Sequence, residues 1–400
     1  MGQPPLAGYT VVDFSRLFAG PYATMTLADL GADVIKIESP SGDDARQFGP
    51  PFLSGEGMNF MALNRNKRSV VLDIKTPEGR VAAKRLANSA DVVVENFRPG
   101  VAAKLGIGYE DLKEDNPKVV YCSINGFGHE AENEGRPALD IVLQAMTGVM
   151  DRQGRGGRPE LLVITVADTY AAALAVQGVL AALLARGRDG MGQLVEITLM
   201  EALIAAQAYR IISPAGGDVM LPAIDDTCPY QAFQGADGAW FVIAVVSDNN
   251  WRDLCTATGL VDLLGDQELA KNHGRVKQRE RVVGSLTEVF KTRRADEWLA
   301  LLHLAGVASN SVRKVEDLFT DPTVLKRRTI ISVEHPTAGS LMTMGSALHL
   351  SETPTITGAA APTLGQHTRE VLEQWGFEED FIRTVECAAL GHGQTRKDTE

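Results

Sequence analysis

Residues 9–38 read YTVVDFSRLFAGPYATMTLADLGADVIKIE, and their pattern decides the fold. Tyr9–Phe14 is a short β-rich apolar run. Gly20–Gly31 then reads as a helix, with Pro21 at its first helical position and Gly31 just past its end. Asp33–Glu38 is a second run rich in valine and isoleucine. Continuous apolar strands separated by helices mean a parallel sheet covered on both faces.

The alternation continues outward from this unit. Ser69–Ile74, Asp91–Phe97 and Lys118–Ile124 are further strand patterns. Thr76 followed by Pro77 signals a capped helix running to about Asn88. The first half therefore predicts a doubly wound α/β domain. Helical patterns follow at Pro137–Met150, Asp168–Arg186 and Leu199–Ile212. The Gly-, Pro- and Asp-rich stretch Pro214–Pro229 marks a boundary. Asp237-Gly238 between two β runs, Tyr230–Phe233 and Ala239–Val245, is a hairpin signal, and helices are expected at Trp251–Thr256, Gln278–Lys291 and Ala295–Leu304. The domain reading is a large domain over 1–213, a smaller α+β domain over 214–329, and a segment 330–400 that returns to the large domain. Mixed strands are expected from about Ile330, and a helix within Pro362–Gly376.

The chain has 400 residues, 44% hydrophobic and 22% charged, with a formal net charge of −12. That apolar content supports a sizeable core. The acidic balance disfavours nucleic-acid partners, whose phosphates it would repel. The four cysteines stand far apart with no CxxC pair, which fits a reducing cytoplasm and argues against a thiolate zinc site. The opening MGQPPLAGYT carries no basic and apolar signal-peptide pattern. Leu161–Ala185 is the only long apolar stretch; its interruptions and many alanines favour a buried helix over a membrane span.

Several chemistries lack their motifs. No GxGxxG follows the first strand, where Ser15–Gly20 stands instead, so a nicotinamide oxidoreductase is demoted. No P-loop and no GxSxG occurs, and the dispersed histidines offer no metal-binding spacing. Asp168 stands out as the one charge in the long apolar run. Its bland role is the N-cap of the following helix. Its chemical role is a nucleophile that attacks an acyl carbon to give a mixed anhydride. The two roles are compatible. On an acidic protein, Arg16, Lys67, Arg68, Lys75, Arg98, Lys104 and Arg136 gather at loops after strands or at helix starts. Ligands of open α/β sheets bind at the carboxyl ends of the strands, so this rim suits a polyanion.

Seven ordered segments carry a resemblance: DFSRLFAGPYATMTLADLGADVIKIESPSGD (13–43), NRNKRSVVLDIKTPEG (64–79), ADVVVENFRPG (90–100), VADTYAA (166–172), GQLVEITLMEA (192–202), PYQAFQGADG (229–238) and APTLGQHTREVLEQWG (361–376). Together they resemble the family III CoA-transferases, the CaiB/BaiF group of formyl-CoA transferase, carnitine CoA-transferase and the α-methylacyl-CoA racemases. The resemblance implies an interlocked homodimer, each chain having a Rossmann-like large domain and a small domain. It implies that Asp168 becomes an aspartyl-CoA thioester. It carries CoA contacts to Phe18 and Ala19, to Leu72, Asp73 and Lys75, to Asn96, Phe97 and Arg98, to Lys104, and to Pro137, Ala138, Leu139 and Asp140. Arg16 is expected near the thioester.

Two departures narrow the activity. The racemase branch has a histidine directly before the aspartate that matches Asp140; here that residue is Leu139, which cannot move a proton. His129 lies upstream in a charged loop that suits a surface role. The run of consecutive glycines of formyl-CoA transferase is missing; the pair Gly216-Gly217 is too short to be one. The expected function is CoA transfer from an acyl-CoA, succinyl-CoA among the candidates, to a small carboxylic acid. CoA enters as a substrate, with no tightly bound cofactor, metal, membrane or nucleic acid. A dicarboxylate would suit the spare arginines, Arg46 and the Arg152–Arg158 loop, although solvated loop charge explains them equally well. The rivals are a 2-methylacyl-CoA racemase and a non-catalytic CoA-binding protein.

Overall fold

A computed structural model describes residues 2–128, 136–154, 157–216, 218–221 and 226–394. His129, one of the two glycines at 216–217, and residues 155–156 of the arginine loop lie outside the described residues.

The chain divides into two compact units, Met1–Gln207 with Asp321–Glu400, and Ala208–Thr320. The compositional boundaries at 214 and 330 fall slightly later than these junctions. Turn-forming residues cluster after the chain has already left its last helix through a 3-10 turn, Ala208–Arg210.

The large unit is built on a six-stranded parallel sheet. Its strands are β1 (Thr10–Asp13), β2 (Asp33–Glu38), β3 (Lys67–Val71), β4 (Val92–Glu95), β5 (Val120–Asn125) and β6 (Leu194–Thr198). Their spatial order is β3-β2-β1-β4-β5-β6, the doubly wound order that reverses direction beside β1. The reversal opens a crevice at the carboxyl ends of β1 and β4, where such sheets bind ligands.

Helices cover both faces. On one side α1 (Ala19–Asp29) packs against α2 (Val166–Asp189), around Ala23, Leu27, Ala171, Ala175 and Val179. On the other, α3 (Pro77–Asn88) and the C-terminal helices pack on Val12, Ile35, Val70 and Val93. Thr76 caps α3 by accepting from Gly79 N, as its sequence predicts. Pro21 sits at the third position of α1, not the first, because the helix begins two residues early at Ala19.

Helix α2 is long and apolar enough, by length and composition, to span a membrane. Its small residues form the face packed on the sheet and on α1. Gly178 permits that contact: a Cβ there would sit 2.6 Å from Val195 Cγ1. The long helical pattern at 137–150 breaks in two, α4 (Asp140–Met146) and α5 (Val149–Gln153), because Gly148 adopts φ +79° between them.

The small unit holds the expected hairpin, β7 (Tyr230–Gln234) and β8 (Trp240–Ala244), with Gly238 at φ +74° in its turn. A third strand, β9 (Ala308–Ser311), pairs with the other edge of β8. Its core centres on Phe290, whose ring meets Phe233, Phe241 and Trp298 edge-on.

Candidate active site

The loops at the carboxyl edge of the sheet gather most of the residues singled out by sequence. After β1 comes Phe14–Phe18, and after β4 comes Asn96–Arg98. The Asn96 side chain joins them: Arg16 N donates to its Oδ1 at 2.8 Å, and its Nδ2 donates to Arg16 O at 2.8 Å. Asn96 therefore fixes the backbone of Arg16 across the switch point. The Arg16 side chain is half-buried and forms no ion pair among the described residues, and Lys75, Arg98 and Lys104 are exposed and likewise unpaired. A row of uncompensated cations on one edge attracts phosphates.

The other proposed contacts divide by burial. Ala19 is buried in the core and Phe18 half-buried at the start of α1. The first backbone N–H groups of α1 have no side-chain cap. Leu72 is entirely buried, so it can offer only its backbone to a ligand. Asp73 is buried and accepts from Lys75 N, shaping the turn that presents Lys75. Phe97 packs partly into the core. Gly126, just past β5, makes room for the segment Pro137–Asp140: a Cβ on it would lie 2.2 Å from Ala138 Cβ. Leu139 is exposed at the N-terminal flank of α4, and no histidine occurs between residues 136 and 170.

Three sequence expectations need correction. Lys67 is no rim cation: its ammonium is buried, 3.0 Å from Asp13 and bonded to Pro21 O and Asn64. Arg68 is held by Asp33 and by Glu370 and Gln374. Both residues begin β3, whereas the rim is made by loops that follow strands. Arg46 cannot grip a substrate carboxylate, because it is buried against Glu38 and Glu56 and donates to Pro362 O. Arg152 lies on α5 with no ion pair among the described residues.

Asp168 is the third residue of α2, and the helix is flanked by Thr165, which makes no side-chain cap. The N-cap role is therefore wrong for Asp168. Asp140 on α4 does that work from outside: its Oδ1 accepts from Ala167 N at 2.7 Å, and its other oxygen accepts from Gln144 Nε2. Asp168 itself accepts no hydrogen bond among the described residues. Burial pushes its carboxyl up, and the nearby negative charge of Asp140 pushes it further, to about 6. The result is a half-buried carboxylate whose lone pairs are uncommitted, at a helix end whose N–H groups favour negative charge.

Gln144 escaped the sequence reading. It is fully buried, accepts from Leu162 N at 3.0 Å and donates to Leu162 O at 3.0 Å. It thus fixes the segment that leads into Asp168. A glutamine inside an amphipathic helix carries no sequence signal of that role.

Comparison with known proteins shows the family. The model of CoA-transferase family III matches residues 6–368. The chain is 34% identical to the succinyl-CoA:glutarate CoA-transferase of Mus musculus, covering 96% of this chain and 90% of that one. It is 36% identical to the succinyl-CoA:mesaconate CoA-transferase of Haloarcula hispanica, covering 92% and 95%. The crystal structure of a CaiB/BaiF family protein from Brucella suis superposes with a TM-score of 0.83 at 34% identity, over 94% of this chain and all of that one. With its doubly wound sheet and this match over nearly its whole length, the chain is an enzyme and belongs to CoA-transferase family III.

Proposed function

We propose that this enzyme moves CoA from succinyl-CoA to a small dicarboxylic acid, with Asp168 as covalent nucleophile. The relatives named for succinyl-CoA pair it with glutarate or mesaconate, both dicarboxylates, which supports that substrate class. The observation that carries the mechanism is the unbonded, half-buried carboxylate of Asp168 in the first turn of α2.

The steps balance without a redox partner or a net proton. An oxygen of ionised Asp168 attacks the thioester carbonyl; the C–S bond breaks and CoA thiolate leaves an acyl-aspartyl anhydride. The thiolate attacks the aspartyl carbonyl, and the donor acid departs as carboxylate. The acceptor carboxylate then attacks the aspartyl-CoA thioester and expels thiolate. That thiolate attacks the acyl carbon of the new anhydride, releasing the new acyl-CoA and restoring Asp168. The thiolate must stay beside the anhydride throughout, so holding CoA in place contributes directly to rate. The cations Lys75, Arg98 and Lys104 would hold its phosphates, Arg16 would lie near the thioester, and CoA thioesters are the only cofactor-like groups required.

Exposed apolar side chains Leu139, Val142, Met146, Val163 and Ile164 on the large unit support burial against a second copy in an interlocked homodimer. Cys122, Cys228 and Cys255 are buried and form no disulfide among the described residues, which suits a reducing cytoplasm. The absence of histidine beside Leu139 counts against racemisation, which needs a second proton-moving group.

The test is to incubate the enzyme with succinyl-CoA alone, digest it, and weigh the peptide that contains Asp168. A CoA-sized mass increment that hydroxylamine removes is the expected result. Turnover with no increment on Asp168 would refute the mechanism.

A further inference from the structure

Beneath the loop Ser15–Ala19 lies a closed group of charges that the transfer chemistry does not use. Three carboxylates, Asp13, Glu38 and Asp43, face three cations, Lys36, Lys67 and Arg46, all buried. The Lys36 ammonium lies 2.8 Å from Asp43 and donates to the Ser15 carbonyl at 2.8 Å. Asp43 Oδ1 accepts from Leu17 N at 3.1 Å. Asp13 accepts from Ser15 N and from the Ser15 hydroxyl. Together with Asn96, these groups tie down the peptide groups of Ser15, Arg16 and Leu17.

Such a group is not the cheapest way to fill a core. Well-packed apolar side chains commonly replace buried ion pairs with no loss of stability. What apolar residues cannot do is hold specific peptide atoms. The loop needs holding: Leu17 sits at φ +68°, a left-handed backbone that side chains other than glycine seldom adopt. Gly20 is pressed on Ser15 so closely that a Cβ would lie 2.2 Å from Ser15 Cβ.

We propose that Lys36 and Asp43 are positioning residues for acyl-CoA: they lock the strained loop that presents Arg16, Phe18 and the start of α1 to the coenzyme. This rests on the proposed reading that the loop binds CoA. Neither side chain touches substrate, since both are buried beneath the loop.

The experiment uses the full-length enzyme with Lys36→Met and Asp43→Asn combined. Both charges leave together, and the asparagine Oδ1 can still accept from Leu17 N. Calorimetry with CoA and steady-state kinetics with succinyl-CoA and glutarate are compared with wild type. The expected result is a folded protein with at least tenfold weaker CoA binding and a matching rise in KM for succinyl-CoA, while KM for glutarate is unchanged. A folded double variant with wild-type CoA affinity overturns the inference. If the double variant does not fold, Asp43→Asn alone decides: it breaks the ion pair, and about threefold weaker CoA binding is expected, unchanged binding being the refutation. Wild type that binds CoA yet forms no adduct on Asp168 removes the covalent mechanism and leaves this inference standing. Wild type that does not bind CoA removes both.

Discussion

Replacing Asp168 with asparagine should abolish transfer and make the protein more stable at neutral pH. The carboxyl has a pKa of 3.8 when free of its surroundings and about 6 in the fold, where burial is the first cause and Asp140 the second. At about 1.4 kcal/mol for each tenfold change in proton affinity, the ionised folded form carries a penalty of about 3 kcal/mol. Partial solvent access screens the group, and ~1–2 kcal/mol is the reasonable expectation. The sign follows from proton binding. Between pH 4 and pH 6 the folded chain holds a proton at Asp168 that the unfolded chain has lost, so wild-type stability falls as pH rises through that window. Asparagine does not titrate. The variant's advantage should therefore grow with pH across this window and level off above about pH 7. Urea unfolding of both proteins at pH 5 and pH 8, with an acyl-exchange assay on the same samples, measures both effects. A variant less stable than wild type at pH 8 would make Asp168 a structural anchor. Retained transfer would exclude it as the nucleophile.

Three further substitutions probe its surroundings. Asp140→Asn keeps an acceptor for Ala167 N but removes the like charge beside Asp168, so the acidic limb of the kcat/KM profile should move to lower pH; a stationary limb would show that burial alone sets the nucleophile. Arg46→Ala strands the buried carboxylate of Glu38, a loss of about 3–5 kcal/mol in unfolding free energy. In the folded fraction, the ratio of glutarate to butyrate turnover should stay at the wild-type value; a drop would restore Arg46 as a substrate contact. Gly20→Ala places a methyl against Ser15 and should cost about 1–3 kcal/mol by overpacking, seen as a lower urea midpoint together with a higher KM for succinyl-CoA.

The parallel sheet was legible because its signals are local. Val11–Val12, Val34–Ile35 and Val92–Val94 are apolar runs buried on both faces, and Thr76-Pro77 carries its own cap. Strand β6 was not read as a strand because Leu194 and Glu196 at the sheet's edge are exposed, which dilutes the apolar pattern. Strand β9, Ala-Ser-Asn-Ser, has almost no strand composition and exists because the edge of β8 pairs with it. The site was half legible. Asp168 stood out as a charge in an apolar run, and the rim residues after β1 and β4 stood out by following strands. Lys67, Arg68 and Arg46 were misplaced because folding brings them partners that linear charge spacing does not show: Asp13 two strands away from Lys67, Asp33 on the strand beside Arg68, and Glu38 at the end of β2, against the 3-10 turn that carries Arg46. Cross-strand pairing is a property of register, and a linear reading of charge does not contain it.

The same distinction explains why Asp168 and not another buried acid should be the nucleophile. Asp13 is more deeply buried, and burial alone would raise its pKa. Lys67 and Lys36 reverse that effect, aided by the hydroxyls of Ser15 and Thr24, and hold it at about 2. Its oxygens are occupied by Ser15, Thr24 and Lys67, so an attack on a thioester would have to break bonds worth more than the water they replaced. Asp168 is removed from much of the solvent without that compensation. It remains ionised at neutral pH with no hydrogen bond or ion pair to it among the described residues, so its lone pairs are available at small cost. Burial depth therefore does not select the reactive acid. What selects it is burial with the hydrogen-bond partners left out, and in this site the N–H of the preceding residue, Ala167, is already taken by Asp140.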